Sequence, residues 1–142
     1  MNLPLDRAWI ERHLPHQGRM SLLDEIVAVD DTTVRAIARG HREHDHPLRV
    51  AGELPAVCGI ELGAQAAAAH GAACAGTPSG AGFLAGVRSV VLHVRRLDDI
   101  AGDLQVDAKQ IAAGTSGVLY SFTVSGDGRL LVEGRVTVAF VR

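Results

Sequence analysis

Residues 55–78 read PAVCGIELGAQAAAAHGAACAGTP and carry the clearest structural signal in the chain. The leading proline suits the first turn of a helix, where its missing N–H is not needed, and alanine is the strongest helix former. Gly76 and Pro78 end the pattern. The stretch therefore predicts one helix over residues 55–75, and we expect it to be buried because it is apolar on nearly all sides.

One side of this helix is unusually smooth. Residues four apart lie on the same helix face, and small residues recur there at Gly59, Gly63, Ala67, Gly71 and Ala75. Such a stripe allows a sheet or a second backbone to approach closely.

The rest of the chain favours β-structure, apart from a short helix predicted over residues 4–13. Apolar runs separated by turn residues predict six strands, over residues 22–29, 34–38, 82–94, 104–112, 118–124 and 130–141. A Gly-Asp-Gly sequence at 126–128 is a strong hairpin signal. One long helix among consecutive strands indicates an α+β fold, with an antiparallel sheet wrapped around the helix in a single domain, residues 1–142.

Charge and composition exclude several classes of protein. The chain has 142 residues, with 14 Lys and Arg against 16 Asp and Glu, so its balanced charge argues against binding nucleic acid through bulk electrostatics. The first 12 residues carry charges with no long apolar core behind them, and a span over residues 54–76 would have to hide Glu61, Gln65 and His70. We expect a cytoplasmic protein without a membrane span.

Both cysteines, Cys58 and Cys74, fall within the predicted helix, about 24 Å apart at 1.5 Å per residue. That separation is far beyond disulfide reach, so we expect two free, buried thiols. We predict no nucleophilic catalyst, because no Gly-x-Ser-x-Gly motif is present and neither cysteine is interpreted as having a nearby histidine in sequence.

The most informative group of polar residues is His46 with Glu61 and Gln65. Glu61 and Gln65 share the helix face opposite the small residues. Burying a carboxylate costs several kcal/mol unless a partner compensates it, and burial raises the pKa of such a group, which suits it to general acid chemistry. The alternative interpretation, which is equally favoured, is that Glu61 is a structural carboxylate that binds the backbone of a loop.

The sequence HREHDH at residues 41–46 suggests a metal site with His41, His44 and His46 as ligands. Arg42 within the cluster argues against a cation, and a catalytic zinc site normally takes a ligand from a separate element. We therefore expect no metal, and we expect His41 and His44 to lie in a solvated loop.

Three arginines, Arg88, Arg95 and Arg96, form a possible basic patch for a phosphate or an acidic carrier protein. The ordinary alternative is the solvated edge of a strand. His70, on the smooth side of the helix, is interpreted as a packing histidine.

The order and spacing of several short motifs resemble one family, the hotdog-fold 3-hydroxyacyl-carrier-protein dehydratases. The motifs are Leu14-Pro15-His16, Leu22-Leu23-Asp24, residues 55–65, residues 83–87 and Ala101-Gly102-Asp103. His46-Pro47, Leu54-Pro55-Ala56 and Gly59-Ile60-Glu61 are closer still to one branch, the dehydratase-like hotdog proteins of bacterial aryl-polyene pigment clusters.

This resemblance implies a hotdog fold that becomes a double hotdog on dimerisation, with an active site at the dimer interface. It implies that His46 of one chain removes the α-proton of a (3R)-hydroxyacyl thioester, and that Glu61 of the other protonates the departing hydroxyl to leave a trans-2-enoyl thioester. Backbone N–H groups near Ala56 and Val57 would polarise the thioester carbonyl. Gln65 would orient Glu61 or a water molecule.

The resemblance also implies the partners. The substrate would arrive on the phosphopantetheine arm of an acyl carrier protein, and the chemistry would need no metal and no organic cofactor. The chain would form a homodimer, or a hetero-oligomer with a paralogous hotdog dehydratase.

Three departures from the commoner family pattern leave two other functions open. Asp45 replaces a glycine and is expected to raise the pKa of His46, the interval from His46 to Glu61 is one residue longer, and Ala56 replaces a glycine. The alternatives are a weakly or non-catalytic partner subunit of a dehydratase complex, and a hotdog acyl thioesterase that would not need His46.

Overall fold

The structure is a computed structural model, and it describes residues 2–15, 18–75 and 82–140. The helices are α1 (Arg7–His13) and α2 (Gly59–Ala75), and the strands are β1 (Glu25–Val29), β2 (Thr33–Ala38), β3 (Gly82–Leu92), β4 (Leu104–Ala113), β5 (Gly117–Gly126) and β6 (Arg129–Phe140). Short 3₁₀ turns lie at Gly18–Met20, Gly40–Arg42 and Ala56–Cys58.

All six strands form one antiparallel sheet in the order β1-β2-β4-β5-β6-β3. Alternate residues of the central strands, such as Val34, Val106 and Val124, are buried toward α2. Their neighbours along each strand face outward, which is the alternation that the strand period of two requires. The predicted α+β architecture, a sheet around one long helix, is confirmed.

The smooth side of α2 lies against the sheet. A Cβ added at Gly63 would come within 2.4 Å of the Phe122 ring on β5, and one at Gly59 within 3.0 Å of Val132 on β6. A Cβ added at Gly71 would meet no atom of the described residues within 4 Å. The stripe therefore provides the close approach that the sequence predicted, over its first half.

Both helices begin later than predicted, and β1 also begins later, at Glu25 rather than at residue 22. Residues 56–58 form a 3₁₀ turn, so α2 begins at Gly59 and Pro55 stays extended. α1 begins at Arg7, because the Asp6 carboxylate accepts a hydrogen bond from the Trp9 N–H and caps the helix. The predicted stop at Gly76 and Pro78 lies outside the described residues.

Two expectations about accessibility need correction or comment. Cys58 is half-buried but Cys74 is exposed, because it lies in the last turn of α2, so the prediction of two buried thiols was wrong for Cys74. Of the helices in the described part of the chain, neither combines the length and the apolar character that crossing a membrane requires.

β3 is an edge strand with an unusually apolar surface. It pairs with β6 on one side, and on its other side no strand of the described residues pairs with it. Val87 lies opposite Val136 and therefore on the α2 side of the sheet, yet it is 43% exposed. Leu84, Val91 and Leu92 are exposed as well. An uncovered apolar edge of this kind indicates an association surface.

Candidate active site

The loop that carries His46 is fastened by Arg49. The Arg49 side chain donates hydrogen bonds to the carbonyl oxygens of Glu43 and Gly52, both at 2.7 Å, and its Nη1 lies 3.6 Å from a carboxylate oxygen of Asp98. Asp98 also accepts from the Leu54 N–H at 2.9 Å. These contacts hold the loop in one position in front of α2.

The His46 ring is half-buried and holds a defined tautomer. Its Nδ1 accepts a hydrogen bond from the Leu48 N–H at 3.1 Å, so in the neutral ring the proton is on Nε2. His46 therefore offers a hydrogen-bond donor at Nε2. A general base at that atom would need the opposite tautomer, with the proton on Nδ1.

Burial lowers the pKa of His46, and the positive charge of Arg49 lowers it further. The expectation that Asp45 raises this pKa was wrong. The Asp45 side chain points into solvent, where its closest cation is Arg19 at 4.0 Å. His46 is accordingly neutral near pH 7.

Glu61 and Gln65 are in contact, as their spacing on α2 predicted. The Gln65 Nε2 donates to Glu61 Oε1 at 3.0 Å and to the Met20 carbonyl at 2.8 Å. Gln65 Oε1 accepts from the Leu22 N–H at 2.9 Å. Gln65 is fully buried, so this amide ties the segment before β1 to the helix and fixes one carboxylate oxygen of Glu61 as an acceptor.

Two spaces lie beside His46. His46 lines a narrow apolar cavity together with Leu22 and Cys58, and it also lines a wider polar groove of about 400 Å³. Glu61 lines neither space. Cys58 lies one turn before Glu61, and its thiol is 3.8 Å from the Leu48 carbonyl.

The start of the helix offers fewer free N–H groups than the sequence predicted. The Ala56 N–H donates to the Arg95 carbonyl at 3.0 Å, and the Cys58 N–H donates to the Pro55 carbonyl at 3.0 Å. The Val57 N–H has no acceptor among the described residues, and Val57 is exposed. Ala56 is thus not available as an oxyanion donor, whereas Val57 is.

The predicted basic patch is largely neutralised. Arg95 and Arg96 both form ion pairs with Glu53, and Arg96 also pairs with Asp98, whose pKa it holds well below its usual range. Arg88 is exposed on β3 and faces Arg135 across the strand pair. Arg88 therefore contributes most of the uncompensated positive charge that the patch retains.

Two other histidines differ in how well they match the prediction. His44 is exposed as expected. His41 is not in a solvated loop, because it is only 3% exposed and its Nε2 lies 2.9 Å from the Ile100 carbonyl oxygen. Its ring also lines the apolar cavity next to His46.

His70 is a packing histidine, as predicted, but it has a cysteine beside it. Its Nδ1 is 2.7 Å from the Tyr120 hydroxyl, and its Nε2 is 3.0 Å from the Asp30 carbonyl oxygen and 3.4 Å from the Cys74 thiol. His70 lies only four residues before Cys74, so the interpretation that neither cysteine has a nearby histidine in sequence was wrong for Cys74. Burial raises the pKa of this thiol, and the ring proton serves the Asp30 carbonyl, so the pair is not an activated nucleophile.

A family model described as ApeP-like, ApeP dehydratase, matches residues 8–141. The chain belongs to the ApeP-like dehydratase family. The resemblance drawn from the motifs is thereby confirmed. No curated protein matches the chain in sequence.

Solved structures similar to this ApeP-like chain share its fold. The dehydratase heterocomplex ApeI:P from Xenorhabdus doucetiae is 24% identical, with a TM-score of 0.83 over 100% of this chain and 93% of that one. A mutant thioesterase from Pseudomonas aeruginosa is 20% identical, with a TM-score of 0.56 over 81% and 78% of the two chains. A hypothetical thioesterase with coenzyme A from Streptococcus pneumoniae is 14% identical, with a TM-score of 0.58 over 82% and 84%. The predicted hotdog fold is confirmed.

Sequence reasoning about this ApeP-like site missed one residue and one contact. The burial of His41 depends on the distant Ile100 carbonyl, for which the sequence gives no signal. The Leu48 N–H that fixes the His46 tautomer was foreseeable, since it lies only two residues away. Across the described ranges, no three His, Cys, Asp or Glu side chains come together in a way that could hold a metal ion. His16, part of the first family motif, lies outside those ranges.

Proposed function

We propose that this chain dehydrates (3R)-hydroxyacyl thioesters on an acyl carrier protein to trans-2-enoyl thioesters, in fatty-acid-like or polyene biosynthesis. The observation that carries the proposal is membership of the ApeP-like dehydratase family together with the presence of both His46 and Glu61. The substrate comes on a phosphopantetheine arm, and the reaction proceeds without a metal or an organic cofactor.

The hydrogen bonds support a division of roles between the two residues that differs from the one implied by the family resemblance. Glu61 Oε1 accepts from the Gln65 amide, which suits a carboxylate that receives a proton. His46 presents Nε2–H, which suits a donor toward an oxygen. We therefore assign removal of the α-proton to Glu61 and the hydrogen bond to the departing hydroxyl to His46.

In this elimination Glu61 both removes the α-proton and delivers it to the departing oxygen, so one carboxylate is sufficient. Glu61 takes the α-proton, the electron pair of that C–H bond forms the double bond, and the Cβ–O bond breaks with its pair on oxygen. The proton on Glu61 passes to that oxygen, so water leaves and the carboxylate is restored. His46 Nε2–H stabilises the charge that develops on the oxygen, and the proposed role of the Val57 N–H is to polarise the thioester carbonyl.

The complete site forms across an interface in this proposal, with His46 from one hotdog chain and the helix carboxylate from the other. The exposed apolar edge at β3 supports association there. The partner is a second copy or a paralogous hotdog chain, and the heterocomplex described for the Xenorhabdus doucetiae relative favours the paralogue. Because Arg95 and Arg96 are paired with carboxylates, Arg88 is the arginine proposed to contact the acidic carrier protein.

The test is turnover of a carrier-bound 3-hydroxyacyl thioester, followed by absorbance of the enoyl product and by mass. We expect Glu61→Gln to reduce the rate by about 10²- to 10⁴-fold. His46→Gln keeps an amide N–H near the position of Nε2 and should retain activity within about tenfold, whereas His46→Ala should lose about 10²-fold. His44→Ala, at an exposed position in the same loop, is the matched control and should behave as wild type.

Equal inactivity of His46→Gln and His46→Ala would return the base role to His46. A second function is favoured by the heterocomplex just described: a partner subunit that completes a paralogous dehydratase without turning over substrate itself. No turnover by this chain alone, but turnover with a second hotdog chain that survives both substitutions here, would establish it. Release of free acid would instead show a thioesterase.

A further inference from the structure

Two buried polar atoms have no hydrogen-bond partner among the described residues, Ser21 Oγ and His41 Nδ1. Of the two atoms, the His41 nitrogen gives the stronger indication of a ligand. Its ring proton is on Nε2, because that nitrogen lies 2.9 Å from the Ile100 carbonyl oxygen, which can only accept. The lone pair of Nδ1 is therefore buried, and no group of the described residues donates to it. An unpaired buried acceptor destabilises the fold unless a ligand donates a hydrogen bond to it.

The space beside His41 fits one oxygen atom. His41 and His46 line the same cavity, whose volume is about 10 Å³, the room that one water molecule needs. The other walls are mainly leucines: Leu22, Leu48, Leu54, Leu62, Leu97 and Leu104. An apolar cavity with two imidazoles at its wall selects for a small polar group that satisfies both.

The two imidazoles are complementary. His41 offers an acceptor at Nδ1, and His46 offers a donor at Nε2–H. A hydroxyl is the simplest group that donates and accepts through one oxygen.

We propose that His41 is a recognition residue for a single hydroxyl oxygen, which donates to His41 Nδ1 while it accepts from His46 Nε2–H. Its occupant is the 3-hydroxyl of the acyl chain, an identity that rests on the proposed function, and after elimination the same oxygen is the departing water. His41 takes no proton in this scheme. It makes the site discriminate, because a chain without the hydroxyl leaves both buried imidazole groups unpaired.

Two substitutions at His41 separate recognition from structure. His41→Gln can place an amide N–H near the position of Nε2 and keep the bond to the Ile100 carbonyl, but it has no acceptor near Nδ1. His41→Asn can place its carbonyl oxygen near Nδ1 and loses the bond to Ile100. A recognition role makes His41→Gln the damaging change, whereas a purely structural role makes His41→Asn the damaging one.

The probes are pantetheine conjugates in which an amide replaces the thioester, one carrying a 3-hydroxybutanoyl group and one a butanoyl group. The α-proton of an amide is far less acidic, so binding to the intact oligomer is measured by calorimetry without turnover. We expect wild type and His41→Asn to bind the hydroxy conjugate about tenfold more tightly, and His41→Gln to bind both equally. Full preference in His41→Gln would overturn the proposal.

Water is the other source of such an oxygen. If wild type binds both conjugates equally, and a crystal structure of the complex keeps a water molecule within hydrogen-bond distance of Nδ1, the assignment to the substrate hydroxyl is overturned. Should both variants fail to fold, ¹⁵N spectra of wild type remain decisive. The Nδ1 resonance of His41 should move with the hydroxy conjugate and stay in place with the butanoyl one, and equal responses would overturn the proposal.

Binding and turnover also keep this inference distinct from the proposed function. A chain that prefers the hydroxy conjugate through His41 but never dehydrates the thioester contradicts only the proposed dehydration. A chain that dehydrates the thioester with no preference for the hydroxyl contradicts only the role of His41.

Discussion

At the scale of single residues, the donor or acceptor state of each side chain is set by backbone groups next to it. The Leu48 N–H donates a hydrogen bond to one nitrogen of His46, and the Ile100 carbonyl oxygen accepts one from a nitrogen of His41. The sequence identified His46, Glu61 and Gln65 as a group, but the proton positions depend on contacts that residue types do not show. The Ile100 contact in particular links residues 59 positions apart.

The lowered pKa of His46 is testable by proton NMR. We expect the Cε1–H resonance of His46 to titrate at lower pH in the folded protein than in the urea-unfolded chain, because burial disfavours the charged ring. The unfolded chain then binds more protons between the two midpoints, so the free energy of unfolding rises with pH across that interval. The contribution of His46 to stability is lost as the pH falls through the folded pKa. His46→Gln should remove this component. A folded midpoint at or above the unfolded one would contradict the burial argument.

The buried hydrogen bonds of Gln65 lead to a second prediction for a single residue. Gln65→Met keeps the length of the side chain but leaves the Leu22 N–H without its acceptor in a buried place, and it removes a donor from the Met20 carbonyl. We expect a loss of about 2–4 kcal/mol in the free energy of unfolding, measured by urea denaturation. Gln110→Met, on the partly accessible part of β4, is the control and should change stability by less than about 0.5 kcal/mol. Equal effects at the two sites would show that the Gln65 hydrogen bonds are not stabilising.

At the scale of elements, α2 shows which part of a helix a sequence predicts well. Its length and burial followed from alanine content and the absence of charges on most sides. Its first turn did not, because the 3₁₀ geometry of residues 56–58 depends on the Arg95 carbonyl, which takes the Ala56 N–H from outside the helix. The predicted oxyanion donor at Ala56 was lost for the same reason.

Two glycines on the same face of α2 should respond to alanine in opposite directions. At Gly63 the added methyl overlaps the Phe122 ring, so we expect Gly63→Ala to lower the free energy of unfolding by about 1–3 kcal/mol. At Gly71 an added methyl meets no atom within 4 Å in the described part of the chain, so Gly71→Ala should raise the free energy of unfolding by up to about 1 kcal/mol through helix propensity. Urea denaturation of both variants measures the difference. If Gly63→Ala is neutral, α2 does not pack against β5 as closely as described.

At the scale of the whole molecule, two features support the proposed association with a second chain. Glu61 lines neither of the two spaces described above that His46 lines, and the β3 edge leaves apolar side chains exposed. A single sequence shows which residues are present, but it does not show which chain supplies each of them. That part of the site could only be predicted through family resemblance.

The β3 edge carries the prediction for assembly. Val87→Lys places a charge on an edge that a second hotdog chain is proposed to cover, so it should shift the sedimentation of the oligomer toward the single chain. Ile111→Lys, an equally exposed apolar position on β4, is the matched control and should leave assembly unchanged. If both variants sediment like wild type, with and without a paralogous chain, β3 is not the interface.

The strand order also has a consequence for biosynthesis. β3 finds its only described strand partner in β6, so during translation its apolar side chains wait until residues 129–140 have been made. At about 5–20 residues per second this delay lasts roughly two to ten seconds. Throughout that interval the nascent chain displays the very surface through which it is proposed to associate. A neighbouring nascent chain or a chaperone can therefore reach β3 before the molecule's own β6 does.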